Sequence, residues 1–180
     1  MGVSFSPAGL LTPFHIGASF QLRKLGFIKS NTALAGSRCS LLIFMKTGFV
    51  LTVTNNYYSG GALAAVTTAL NIEPADSLRF CRYIAQRCRD EGPRLTLRKA
   101  LDEVLDEVIQ QESVTVINNR MANCFVAYFE LFPGFRPQFV NHFINRTDLI
   151  DTLRASCNIP FYFNGNVPYV SVRGGGIFLK

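Results

Sequence analysis

Thr32-Ala33-Leu34-Ala35-Gly36-Ser37 and Ser59-Gly60-Gly61-Ala62-Leu63-Ala64-Ala65-Val66 decide how this chain is read. The first is a short apolar strand entering a tight turn. The second is the glycine-flanked start of an alanine-rich helix. Between them, Arg38 to Tyr58 is rich in Leu, Ile, Phe, Val and Thr and differs from both flanks. With that piece set aside, the flanks join as Ala-Gly-Ser-Ser-Gly-Gly-Ala, a Gly-x-Ser-x-Gly elbow. Such an elbow holds a serine on a strained strand-to-helix turn, with its hydroxyl raised over the sheet edge. The central serine is Ser59, with Gly36 and Gly61 as the elbow glycines.

Working outward, Gly2 to Ser6 reads as a first strand and Pro7-Ala8-Gly9 as a turn. Thr12 and Pro13 open a helix to about Leu25, closed by Gly26. Its small residues Gly17, Ala18 and Ser19 suit close packing on a sheet. Strand, turn, helix, strand, turn, helix is the opening of a parallel α/β fold. Further helices are expected over Gly61 to Leu70 and Ala75 to about Arg89, and from a Thr96 cap onward. In the last of these, Leu97, Leu101, Val104, Leu105, Val108 and Ile109 form one apolar face, and the charges opposite read as a solvated stripe. Strands are expected at Val114 to Ile117, Cys124 to Leu131 and Phe135 to Phe143. Thr147 caps a helix to Cys157. Inside the odd segment, Ile43 to Lys46 and Phe49 to Thr54 suit a hairpin.

Composition limits the function classes. The chain has 180 residues, 48% of them apolar, with sixteen Phe, enough for one well-packed domain. Its net charge of +6 favours an anionic partner such as a phospholipid surface or nucleic acid, or belongs to a basic protein with no charged partner, and the partner expected is lipid rather than nucleic acid. The five cysteines form no Cys-x-x-Cys pair, so no metal site and no disulfide framework is expected. No secretion signal is visible at Met1, and Leu41 to Val53 is too short to span a bilayer, so a cytoplasmic place is expected.

With Ser6-Pro7-Ala8-Gly9-Leu10-Leu11-Thr12-Pro13-Phe14-His15-Ile16-Gly17, the split elbow, and Ala155-Ser156-Cys157-Asn158-Ile159-Pro160 in view, the chain resembles a patatin-like phospholipase domain. The resemblance implies an α/β fold, a mostly parallel central sheet flanked by helices in a three-layer sandwich. It implies serine-dependent hydrolysis of phospholipid or acylglycerol esters, with no cofactor and no metal. The partner it implies is a lipid substrate, met at a membrane or lipid-droplet surface. It assigns Ser59 as nucleophile and the backbone N–H groups of Gly9 and Leu10 as the oxyanion hole. It also requires an aspartate in an Asp-Gly motif near the domain's end.

The sequence departs from that pattern in three places. The oxyanion loop has one glycine, Gly9, and Pro7 there donates no N–H. Twenty-two residues, Ser37 to Tyr58, stand between Gly36 and Ser59 where one is expected. No Asp-Gly pair occurs anywhere, and the last acidic residue is Asp151. The domain is therefore read as spanning residues 1–180, incomplete at its C-terminus, with an insertion at 38–58. His15 reads as a packing residue, nothing in the sequence pattern pairs His142 with a serine, and Asp148 and Asp151 read as helix-start residues, so no Ser-His-Asp triad is expected. Two alternatives stand beside the enzyme: a non-catalytic lipid-surface protein, and the product of mis-splicing. The second predicts a transcript in which the codons for Arg38–Tyr58 are absent and a single serine codon joins Ser37 to Gly60. A transcript carrying those codons throughout would dismiss it.

Overall fold

The computed structural model describes residues 2–6, 12–36, 60–130, 136–158 and Val172. Among them lie four strands, β1 (Gly2–Phe5), β2 (Ala33–Gly36), β3 (Cys124–Glu130) and β4 (Arg136–Val140). Six helices accompany them: α1 (Thr12–Lys24), α2 (Gly60–Ala69), α3 (Pro74–Glu91), α4 (Thr96–Val108), α5 (Gln111–Asn118) and α6 (Arg146–Cys157). The sheet order is β1-β2-β3-β4. The first three strands are parallel, and β4 returns antiparallel against β3. The fold is α/β with a mostly parallel sheet, as the sequence pattern implied. The hairpin expected within residues 43–54 lies outside the described residues.

Helix α2 is the centre of the molecule. Ala62, Ala64, Ala65, Val66 and Ala69 are buried, and α2 packs on β1, β2, β3, α1, α5 and α6. Its alanines make this possible: small side chains let a helix be enclosed on all sides without overpacking. Helix α1 ends as expected, with Gly26 at φ +76° and the Phe27 N–H reaching back to the Leu22 carbonyl at 2.9 Å. Gly17 does not make a close approach, because a Cβ there would meet nothing within 4 Å. Instead α1 packs on α2 and α3.

Three local expectations need correcting. Val114 to Ile117 is helical, within α5, not a strand. Its Val-Thr-Val-Ile run favours a strand locally, but Val114 and Ile117 are buried three residues apart, a helical spacing. The cap of α6 is Asn145, not Thr147. Asn145 Oδ1 accepts the Asp148 N–H at 2.9 Å, and the buried Asp148 carboxylate accepts the Ile144 N–H at 2.9 Å. Thr96 is the first helical residue of α4 rather than its cap, and Leu95 stands before it at φ +67°.

The charged face of α4 is more than solvated. Glu107 pairs with Arg79 of α3 at 2.8 Å, and Glu103 with Arg87 at 3.0 Å. On the other flank Asp102 receives Arg98 at 2.9 Å and Arg154 of α6 at 2.8 Å. Burial works against the Arg154 charge, but hydrogen bonds to Asp102 and Asp151 outweigh it and hold its pKa above the ordinary value. These pairs orient α4 more than they stabilise it, since every partner keeps at least a fifth of its side-chain surface in water.

Arg120 ties the lower edge together. Its guanidinium donates to the carbonyls of Ala69 at 3.3 Å, Lys29 at 3.3 Å and Thr32 at 3.1 Å. One side chain thus joins the C-terminus of α2, where the helix dipole is negative, to the turn before β2. Arg120→Ala removes three charge-assisted bonds, each weakened by partial exposure. The expected loss is about 2 kcal/mol, read as a lower urea midpoint at unchanged slope. An unchanged midpoint would show that the clamp contributes nothing.

Candidate active site

The site is built where β2 stops. Gly36 is the last residue of β2, paired in register with Phe5 of β1 and Val126 of β3. Directly against it lies the start of α2. A methyl group on Gly36 would fall 2.3 Å from the Gly61 carbonyl oxygen, 2.4 Å from Ala62 Cα and 2.6 Å from the Gly61 carbonyl carbon. Real side-chain atoms do not approach backbone so closely. Only glycine fits, for want of a Cβ rather than for a positive φ. The strand end and the helix start, with the twenty-three residues Ser37–Ser59 between them, therefore meet in contact.

Gly60 and Gly61 are buried, and the first turn of α2 carries no acidic residue. The leading N–H groups of such a helix lack intrahelical acceptors, and the helix dipole is positive there. Negative charge forming on an oxygen at this point is stabilised by both.

Beside the seam, β1 ends at Phe5 and Ser6. His15 of α1 reaches back to them, with Nε2 3.0 Å from the Ser6 carbonyl oxygen and 3.5 Å from Ser6 Oγ. A carbonyl only accepts, so Nε2 carries the proton and donates. The Phe5 ring meets the imidazole edge-on at 5.7 Å. His15 therefore packs and ties α1 to the end of β1, as its setting in the sequence suggested.

Of the residues assigned from sequence, Gly36 and Gly61 are brought together. Ser59, Gly9 and Leu10 lie outside the described residues. Asp148 is enclosed as a capping carboxylate, and Asp151 is paired with Arg154 at 3.1 Å. Both carboxylates are thus engaged within α6 and its entry. His142 is exposed after β4. Among the described residues no group of three or more His, Cys, Asp or Glu side chains is gathered to hold a metal ion. No described helix is long and apolar enough to cross a membrane. Ser156, from the Ser-x-x-Ile-Pro stretch, donates to the Ala127 carbonyl at 2.7 Å and fixes α6 on β3.

The sequence of the family model described as patatin-like phospholipase matches residues 58–178. The chain belongs to the patatin-like phospholipase family. The match begins at Tyr58, one residue before Ser59, so β1, α1 and β2 lie outside it. No curated protein and no solved structure matches. Members of this family are named for action on phospholipids, and lipid is the substrate class that goes with the fold.

One feature of this patatin-like domain was not legible as a site. Between α1, α2, α3, α4 and α6 lies a partly open pocket of about 60 Å³ with almost wholly apolar walls. The α4 residues on it had read only as core.

The seam generates a paired prediction. Gly36→Ala forces backbone to move and is expected to destabilise by about 3 kcal/mol or more. Gly17→Ala, in open space on the exposed face of α1, is expected to stabilise by about 1 kcal/mol through helix propensity. Urea denaturation followed by circular dichroism reads both. Equal effects at the two glycines would mean that no close approach exists at Gly36.

Proposed function

We propose that the chain carries the nucleophile half of a serine-dependent lipid acyl hydrolase. In this reading Ser59 attacks the acyl carbonyl of a phospholipid or acylglycerol. The N–H groups of Gly9, Leu10 and the first turn of α2 hold the oxygen as it becomes negative. The contact between Gly36 and Gly61 is the observation that supports this most. It is the strand-to-helix join that a nucleophile elbow needs, kept although Arg38 to Tyr58 intervenes. The start of the family match at Tyr58 supports the same boundary for an insertion at 38–58. The charge of +6 suits an anionic lipid surface, and a cytoplasmic protein meeting membranes or lipid droplets peripherally fits it.

The general base is the missing part. The family pattern calls for an Asp-Gly aspartate, and these 180 residues contain none. Asp148 and Asp151 are committed elsewhere, as described above. A second reading is a lipid-surface protein that binds without turnover, and the engagement of Asp148 and Asp151 within α6 and its entry favours it.

A short-chain nitrophenyl ester separates the two. Without a positioned base, hydrolysis is expected to run about 10²–10⁴-fold below that of an intact dyad. It should fall to background in Ser59→Ala and stay within twofold in the control His142→Ala. A rate untouched by Ser59→Ala would remove Ser59 as nucleophile. Binding to anionic vesicles with no Ser59-dependent turnover would establish the second reading.

A further inference from the structure

The turns that lead into β2 and β3 carry an exposed apolar patch, at the edge of the sheet opposite the seam. Leu25 and Phe27, between α1 and β2, are 67% and 53% exposed. Met121, between α5 and β3, is 79% exposed. Hydrogen bonds join the two turns into one surface. Ser30 Oγ donates to Met121 Sδ at 3.7 Å, and the Ala122 N–H to the Ser30 carbonyl at 3.3 Å. Arg120 bonds the Lys29 and Thr32 carbonyls from below. Thr32 Oγ1 donates to the Phe27 carbonyl at 3.2 Å and accepts the Lys29 N–H at 3.0 Å.

Positive charge is unopposed at this edge. Lys24 adjoins Leu25, Lys29 follows Phe27, and Arg120 adjoins Met121. Both turns lack Asp and Glu, and the first acidic residue of the chain is Glu73. Among the described residues, ion pairs are made by Arg79, Arg87, Arg98, Arg146 and Arg154, and none by Arg23, Lys24, Lys29 or Arg120. Arg23 instead donates to Asn71 Oδ1 at 2.5 Å, two residues before Glu73. The charges of α3, α4 and α6 are thus matched within the fold, and those of this edge are not. Exposed apolar side chains beside cations without carboxylate partners mark a surface that is complementary to acidic, partly apolar matter.

We propose that this edge docks another protein, through a segment in which Asp and Glu are interspersed with Leu, Phe or Met. Its carboxylates meet Lys24 and Lys29, and its apolar side chains cover Leu25, Phe27 and Met121. The bonds between the turns hold the patch in one shape beforehand, so little ordering is left to be done on binding. Phe, Met and Arg are the residue types that gather at protein interfaces, and Met adapts its shape to a partner. An anionic bilayer offers the same charge but would meet the wrong end of the sheet. Ala33 to Gly36 puts about 10 Å of strand between this edge and the seam. A bilayer here would lie away from the site proposed for lipid, whereas a protein here leaves that site open. The choice of a protein over a bilayer rests on that reading of the seam; the docking surface itself does not.

Selection from a random peptide library on the full-length protein tests the composition of the partner. Recovered peptides are expected to be enriched in Asp and Glu together with Leu, Phe or Met. The double variant Lys24→Glu, Lys29→Glu is expected to abolish that enrichment. Fluorescence anisotropy of one recovered, labelled peptide should then show binding weakened about tenfold or more by Phe27→Ser with Met121→Ser. Phe139→Ser, at an exposed apolar residue of β4, should leave it unchanged. All of these positions are exposed, so the variants keep the fold, which circular dichroism checks. Enrichment that persists in the charge-reversed protein, or recovery of peptides without acidic residues, would overturn the proposal. So would binding to phosphatidylcholine–phosphatidylserine vesicles that charge reversal abolishes while no acidic peptide is recovered, a result that assigns the edge to a bilayer. Ser59→Ala is expected to recover the same peptides. Peptide binding with no Ser59-dependent hydrolysis would keep the docking edge and reject the nucleophile. Ser59-dependent hydrolysis with no acidic peptide recovered would do the reverse.

Discussion

Gly36 and Gly61 occupy a space in which neither strand nor helix has room for one more carbon atom. That exclusion is a packing constraint, and the upper half of the molecule depends on it. It aligns the end of β2 with the axis of α2, and so places the positive end of a helix dipole over the strand ends. Any side chain at position 36 would push the helix away. The geometry for stabilising a developing oxyanion would go with it.

The rest of the fold keeps that seam in place. The alanines of α2 let neighbours close around it, and Leu34 and Val126 fill the sheet beneath without exposure. At the far end Arg120 holds the last turn of α2 to the approach of β2, so the element is anchored at both ends. Ser156 pins α6 to β3 by a single buried hydroxyl. In contrast, α3 and α4 hold each other through exposed ion pairs and leave space behind them.

Much of this was legible in the residues. The alternation of strand and helix through Gly36, the helix stop at Gly26 and the alanine-rich α2 follow from local chemistry that agrees with the tertiary structure. The contact between β2 and α2 could be anticipated because Gly36 and Gly61 flank a stretch whose composition differs from both sides. What was not legible depends on partners distant in sequence. The run Val114 to Ile117 has strand chemistry but is helical, because burial of Val114 and Ile117 on one face overrode propensity. Asn145 rather than Thr147 caps α6, a choice settled by the Asp148 N–H donating to Asn145 Oδ1. Arg120 carries no signal in its own neighbourhood, since its acceptors lie 51 to 91 residues away. The space beside α4 was hidden for a different reason: an apolar helix face looks the same in sequence whether or not the facing helix covers it fully.

Catalysis at this seam would need three things: a hydroxyl at the helix start, donors for the oxyanion, and a base. The described residues supply the join between strand and helix, and with it the field that favours a negative oxygen. The contact itself can be measured most directly by nuclear Overhauser effects in protein labelled at glycine and alanine. Cross-peaks from the Gly36 α-protons to the protons of Gly61 and Ala62 are predicted. Their absence, with Gly36 showing close neighbours on some other element, would contradict the joining of β2 to α2 on which the site depends.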